Sequence, residues 1–154
     1  MPFDAKGPFP LPFKGKGSRE DWRPRSLRRK LERTRAIRDE LEQCMRDLID
    51  QFKQIFRPPR PAHLTLHNTG NGQYVRWRLR ASRLIKQQYF EISDSEVGTN
   101  LLHSLSPAVR EVYLDFEQER LKLNLLYGLH HYEVKSLQRY LDTVHRLGVL
   151  KRGI

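Results

Sequence analysis

Apolar side chains recur along this chain with two different periods, and a proline cluster divides the first period from the second. From Leu41 onward the apolar positions Leu41, Met45, Leu48, Phe52 and Ile55 follow a 4, 3, 4, 3 spacing. That is the stripe of a helix packed along one face. Leu27 and Leu31 lie upstream, but extending the stripe backwards meets Thr34 and Arg38, with Ile37 as a substitute. Ser18 and Asp21 resemble a capping box, and Pro24 suits a first helical turn. The pattern predicts a long helix over 18–57, ended by Pro58, Pro59 and Pro61.

The period then drops to two. His63, Leu64, Thr65, Leu66 and His67 alternate, Asn68-Thr69-Gly70-Asn71-Gly72 supplies a turn, and Tyr74 to Arg80 alternate again. This is a β-hairpin pattern. Residues 86–92 return as a third strand of a meander over 62–92, although a helix over 82–91 fits the same residues. Ser93-Asp94-Ser95-Glu96 opens a short helix over 94–105 through a capping box, and Ser106-Pro107 opens the last one. In that last helix, over 107–147, Val109, Tyr113, Phe116, Leu123, Tyr127, Val134, Leu137, Leu141 and Val144 keep heptad phase, with Arg120 and His130 at the broken positions. Gly148 is placed as the C-cap glycine. Two such stripes pack most simply on each other, antiparallel. The expected fold is α+β and mainly helical: two long antiparallel helices, one short helix, and a small antiparallel β-meander between the long helices in sequence. Residues 1–17, with Pro2, Pro8, Pro10 and Pro12 beside Gly7, Gly15 and Gly17, read as a flexible basic tail before a single domain over 18–154.

Charge changes this picture. The net formal charge is +11, and it is unevenly placed. Residues 1–60 carry 16 Lys+Arg against 9 Asp+Glu, residues 61–92 carry 5 against 1, and residues 93–154 carry 8 against 8. A polyanion is expected to meet the first 92 residues, with the last third serving as scaffold or partner surface. In the second strand, Val75, Trp77 and Leu79 share one face, while Tyr74, Arg76, Arg78 and Arg80 share the other. The first face suits a core. The second suits phosphate neutralisation by the arginines and base stacking by Tyr74, which Tyr89 joins if the third strand forms. Arg83 and Lys86 prolong this run, and Arg28, Arg29, Lys30, Arg33 and Arg35 make the first turns of the first helix cationic, where the helix dipole disfavours cations; of these, Arg28, Arg29, Lys30 and Arg33 are expected to extend the binding surface. Alternating arginines also blunt a sheet edge, and helix charges are often only solvated.

Catalytic chemistry has less support. His63 and His67 fall on a strand with no cysteine or nearby carboxylate to complete a metal site. His130 and His131 are adjacent on a helix and point apart. The turn at Gly70 and Gly72 is followed by neither Gly-Lys-Ser/Thr nor a helix, so it is no phosphate loop. Cys44, the single cysteine, reads as helix packing; a lone cysteine excludes an internal disulfide and a cysteine-based metal site, which suits a reducing, cytoplasmic setting. No apolar run reaches membrane-span length. The expectation is a protein that is not an enzyme, needs no cofactor or small-molecule substrate, and engages no membrane. Its partner is nucleic acid, or else a protein or second copy docked on the heptad helices.

Pro12-Phe13-Lys14-Gly15-Lys16-Gly17 before a long helix, with Thr69-Gly70-Asn71-Gly72 leading into Arg76-Trp77-Arg78, resembles a family of small proteins encoded on bacterial integrating conjugative elements. The family has no established activity, so no site residue carries over. The resemblance implies a mobile-element setting, in which DNA is a more natural ligand than RNA.

Overall fold

The computed structural model describes residues 22–81 and 88–153. Three helices and one small sheet follow in the order α1 (Pro24–Ile55), β1 (Ala62–Thr69), β2 (Gly72–Leu79), β3 (Tyr89–Phe90), α2 (Glu96–Ser104) and α3 (Pro107–Gly153). The strands form an antiparallel sheet in the order β1-β2-β3, so the α+β, mainly helical arrangement is as expected. The long helices pair antiparallel. Leu27 and Leu31 near the start of α1 meet Val134 and Leu141 far along α3, whereas Phe52 near the end of α1 stacks edge-on against Tyr113 and Phe116 near the start of α3.

Several boundaries differ from the sequence pattern. α1 begins at Pro24, after Arg23 at the N-cap position, whose side chain does not cap the helix. The capping box expected at Ser18 and the tail over 1–17 lie outside the described residues. The third strand is only Tyr89–Phe90; its expected start lies outside the described residues, and the residues at 88–90 are not helical. Ser95, not Ser93, caps α2, its hydroxyl accepting from the Gly98 amide at 2.9 Å. α3 runs straight through Gly148 to Gly153. A single helix-interior glycine costs only about 1 kcal/mol, and no proline follows to force a stop. Cys44 is exposed, not packed, because the α3-facing line of α1 passes through Leu41, Met45 and Leu48 instead.

The inner face of the sheet supplies Ala62, Leu64, Val75, Trp77 and Phe90 to a core shared with Met45, Phe52, Tyr113, Phe116 and Leu123. Trp77 is fully buried, stacked on Tyr113 with centroids 5.5 Å apart and edge-on to Phe52 at 5.3 Å. β3 is too short to cover β2. The exposed part of the β2 edge is closed by α3 side chains in place of a strand: the Asn124 carboxamide oxygen accepts from the Val75 amide at 2.8 Å, and its nitrogen donates to the Val75 carbonyl at 3.0 Å.

Arg120 completes that edge. Its guanidinium donates to the Val75 carbonyl at 3.1 Å, to both Glu117 carboxylate oxygens at 2.7 and 2.9 Å, and to Glu91 at 2.8 Å. The Trp77 indole N–H donates to the same Glu117 at 2.6 Å. Burial works against the Arg120 charge, but the hydrogen bonds and charges of Glu117 and Glu91 outweigh it and raise its pKa. The position that interrupts the apolar heptads of α3 is thus the rivet between helix and sheet.

Candidate nucleic-acid interface

β2 lies along the helix pair. Its first residue, Gly72, sits against Tyr127 and His131 of α3, where an added Cβ would come within 3.1 Å of the His131 ring. Gly72 has φ +124, a conformation that glycine supplies without strain. Five residues on, Trp77 reaches Tyr113 and Glu117. The arginines of β2 are therefore strung along the long axis of the molecule.

The outer face of the sheet gathers them with aromatic rings. Register pairs His63 with Arg78, Thr65 with Arg76, and His67 with Tyr74, while Arg78 also faces Tyr89 on the other side. The Arg76 guanidinium lies 4.2 Å from the Tyr89 ring centre and 5.8 Å from that of Tyr74, and the Arg78 guanidinium lies 5.3 Å from Tyr89. Cation–π contact of this kind holds a guanidinium without using its N–H donors. The His67 ring packs 5.1 Å from Tyr74 and 5.2 Å from Tyr89, with Nδ1 3.3 Å from the Tyr89 hydroxyl. Tyr74 is half-buried between His67 and Arg76, so its ring supports the cluster more than it offers a free stacking platform. Tyr89 is the ring on which the cluster turns. The Arg78 Nε and the Thr65 hydroxyl are buried with no hydrogen-bond partner among the described residues. Arg80 is exposed at the strand's end, its amide donating to the Pro61 carbonyl at 3.0 Å. Arg83 and Lys86 lie outside the described residues.

The basic stretch of α1 is divided by the helix. At about 100° per residue, residues on the sheet side are Arg28, Arg35 and Arg38. Arg38 approaches His131 Nδ1 at 3.4 Å beside the hairpin turn, and Arg35 donates to Gln138 at 2.6 Å. Arg28 and Arg35 line a shallow hollow of about 300 Å³ with Glu32 and Asp142. Lys30 and Arg33 face the opposite groove with Glu133 and Leu137, and Lys30 pairs with Glu133 at 3.3 Å. Arg29 points away from α3. Of the four α1 residues singled out from sequence, only Arg28 shares the side of the sheet. Arg35 belongs to the cationic run that the sequence shows but is not singled out from it, and the pattern misses Arg38, which looks like a gap in an apolar seam.

Two histidines respond to this charge. Burial lowers the pKa of His63, helped by Arg60, Arg78 and Lys53, and burial lowers that of His131, helped by Arg38 and Lys135. A histidine depressed in the fold binds its proton less readily than the unfolded chain does. The stability it contributes is present above the ordinary value of 6.5 and is lost as pH falls below it. The urea midpoint is expected to drop between pH 7.5 and 5.5, and the drop to shrink in a His63→Gln/His131→Gln variant. An unchanged difference would assign the effect to other groups.

No group of three or more His, Cys, Asp or Glu side chains able to hold a metal ion occurs among the described residues, and no described helix is long and apolar enough to cross a membrane. No protein-family model, curated protein or solved structure matches the chain.

Proposed function

We propose that this protein is a nucleic-acid-binding accessory factor, without catalytic activity of its own, that grips phosphates along the sheet side of its helical rod. The observation that carries the reading is the pair Arg76 and Arg78 held against Tyr89 on the outer face of the sheet, in line with Arg38, Arg35 and Arg28 beyond the hairpin turn. Pre-placed guanidiniums lose little side-chain freedom on meeting a phosphate. A track of charge along a rod suits an extended polyanion better than a compact anion. The rings of Tyr74 and Tyr89 are already engaged by arginine and histidine, which favours backbone contact over base stacking. DNA is the proposed ligand on the strength of the mobile-element resemblance, with the cytoplasm as the proposed setting.

Fluorescence anisotropy with labelled single- and double-stranded DNA and RNA of one length, each over a salt series, tests the reading. Binding is expected to weaken linearly on a log–log plot, with a slope of about −0.9 per phosphate contacted on a duplex. Salt-insensitive binding, or none to any of the four ligands, would overturn it.

A further inference from the structure

α3 has two apolar faces, and the fold uses only one. Leu123, Val134, Leu137 and Leu141 face α1, while Glu117, Arg120, Asn124 and Tyr127 face the sheet. On the remaining side, at about 100° per residue, stand Leu114, Leu121, Leu125, Leu129 and Tyr132. They are 44%, 51%, 63%, 58% and 74% exposed. Five large apolar residues over roughly five turns of one helix form a continuous stripe.

We infer that this face of α3 is the seam of a homodimer, in which two copies of α3 pair antiparallel about a two-fold axis near Leu125. A second copy of this chain is the occupant that both the charge balance and the area of this face fit. α1 and the sheet carry most of the net charge of +11 and repel their own copies, whereas residues 93–154 balance 8 cations against 8 anions. α3 is itself polarised along its length. With Glu117 and Arg120 buried against each other, residues 107–119 keep three acids (Glu111, Asp115, Glu119) against Arg110, and residues 121–153 keep six bases against Glu133 and Asp142. Antiparallel pairing sets residues 107–119 level with 131–143, where Lys135 and Arg139 balance Glu133 and Asp142, and opposes the helix dipoles. Parallel pairing sets like against like. With Leu125 at the centre, Leu121 meets Leu129 of the second copy. At about 100 Å² of exposed surface for each stripe residue, two copies would bury on the order of 1,000 Å² through these side chains alone, the lower end of a specific interface.

The arrangement has a geometric consequence. Asn124, which holds the β2 edge, lies at the level of the two-fold axis. A two-fold axis perpendicular to antiparallel helices keeps both sheets on the same side of the seam. The two arginine faces would then lie side by side as one surface; this last step alone rests on the nucleic-acid reading above.

Sedimentation equilibrium of the full chain, without nucleic acid, tests the seam. Wild type is expected at twice the 18.4 kDa chain mass at tens of micromolar. Leu121→Glu/Leu125→Glu, with helicity unchanged by circular dichroism, is expected to run as a monomer. With the exposed Cys44 replaced by serine, Leu121→Cys and Leu129→Cys chains are expected to form a disulfide with each other on oxidation and neither with itself. A monomeric wild type, or a dimer indifferent to the leucine changes, would sink the proposal. Self-cross-linking of either cysteine variant in place of the mixed disulfide would overturn the antiparallel arrangement.

Discussion

Replacing Glu117 by alanine is expected to destabilise the fold by about 3–5 kcal/mol, the usual result of stripping one partner from a buried ion pair. Glu117 is 6% exposed and Arg120 only 3%. The carboxylate accepts from the Trp77 indole and from two guanidinium nitrogens. Its loss leaves a buried cation facing a methyl group, with Glu91, half-exposed at 50%, as the remaining countercharge. Set against the 5–15 kcal/mol that holds a typical domain together, this would leave a small margin. Two controls identify the cause. Glu117→Gln keeps an acceptor for Trp77 and removes only the charge, so it should fall between wild type and alanine. Glu117→Leu/Arg120→Met removes both charges and should recover part of the loss, though not the Arg120 bond to the Val75 carbonyl. Urea unfolding followed at 222 nm measures all three. If the alanine variant lies within about 1 kcal/mol of wild type, the network contributes little to stability and the rivet is apolar packing alone.

That network also marks where sequence reasoning stops. Periodicity locates both long helices, because an apolar residue every three or four positions over several turns is what a helix with one buried face produces. Alternation places the inner face of β2 correctly, so Val75 and Trp77 are buried as expected. What periodicity reads is one element at a time. It treats Arg120 as a defect in a heptad, because the reason for a buried arginine lies in Glu117, Glu91 and a backbone carbonyl of another element. The same blindness puts Cys44 in the core and overlooks Arg38, whose partner His131 is 93 residues away. Helix ends are read from local residue types, which is why Gly148 looks like a stop; nothing local says that Leu147, Val149 and Leu150 continue the helix around it. The outer cluster is half legible. Arg76 and Arg78 follow from alternation, and Tyr89 follows from the third strand, but as a stacking ring beside Tyr74 and not as the ring that holds the two guanidiniums.

Arg76→Ala/Arg78→Ala is expected to weaken nucleic-acid binding on the order of 100-fold at moderate salt. Each charge-assisted contact is worth about 1.5 kcal/mol or slightly more, and 1.4 kcal/mol is tenfold. Both side chains point away from the core, so the fold should survive, and the salt slope should become shallower by about 1.8 on a duplex. A second variant measures the length of the track. Arg28 lies 17 residues before Met45, a core residue beneath the sheet, and therefore roughly 25 Å along the helix axis. At about 3.4 Å per base pair, a ligand must exceed seven or eight pairs to touch both. Arg28→Ala/Arg35→Ala should consequently spare the affinity for a six-base-pair duplex and reduce that for a sixteen-base-pair one, whereas the strand variant should weaken both. Should the α1 variant weaken short and long ligands alike, the two groups do not form one line. Should Arg76→Ala/Arg78→Ala leave the slope unchanged, those guanidiniums are held by Tyr89 for the sheet's own packing, and phosphate is gripped elsewhere.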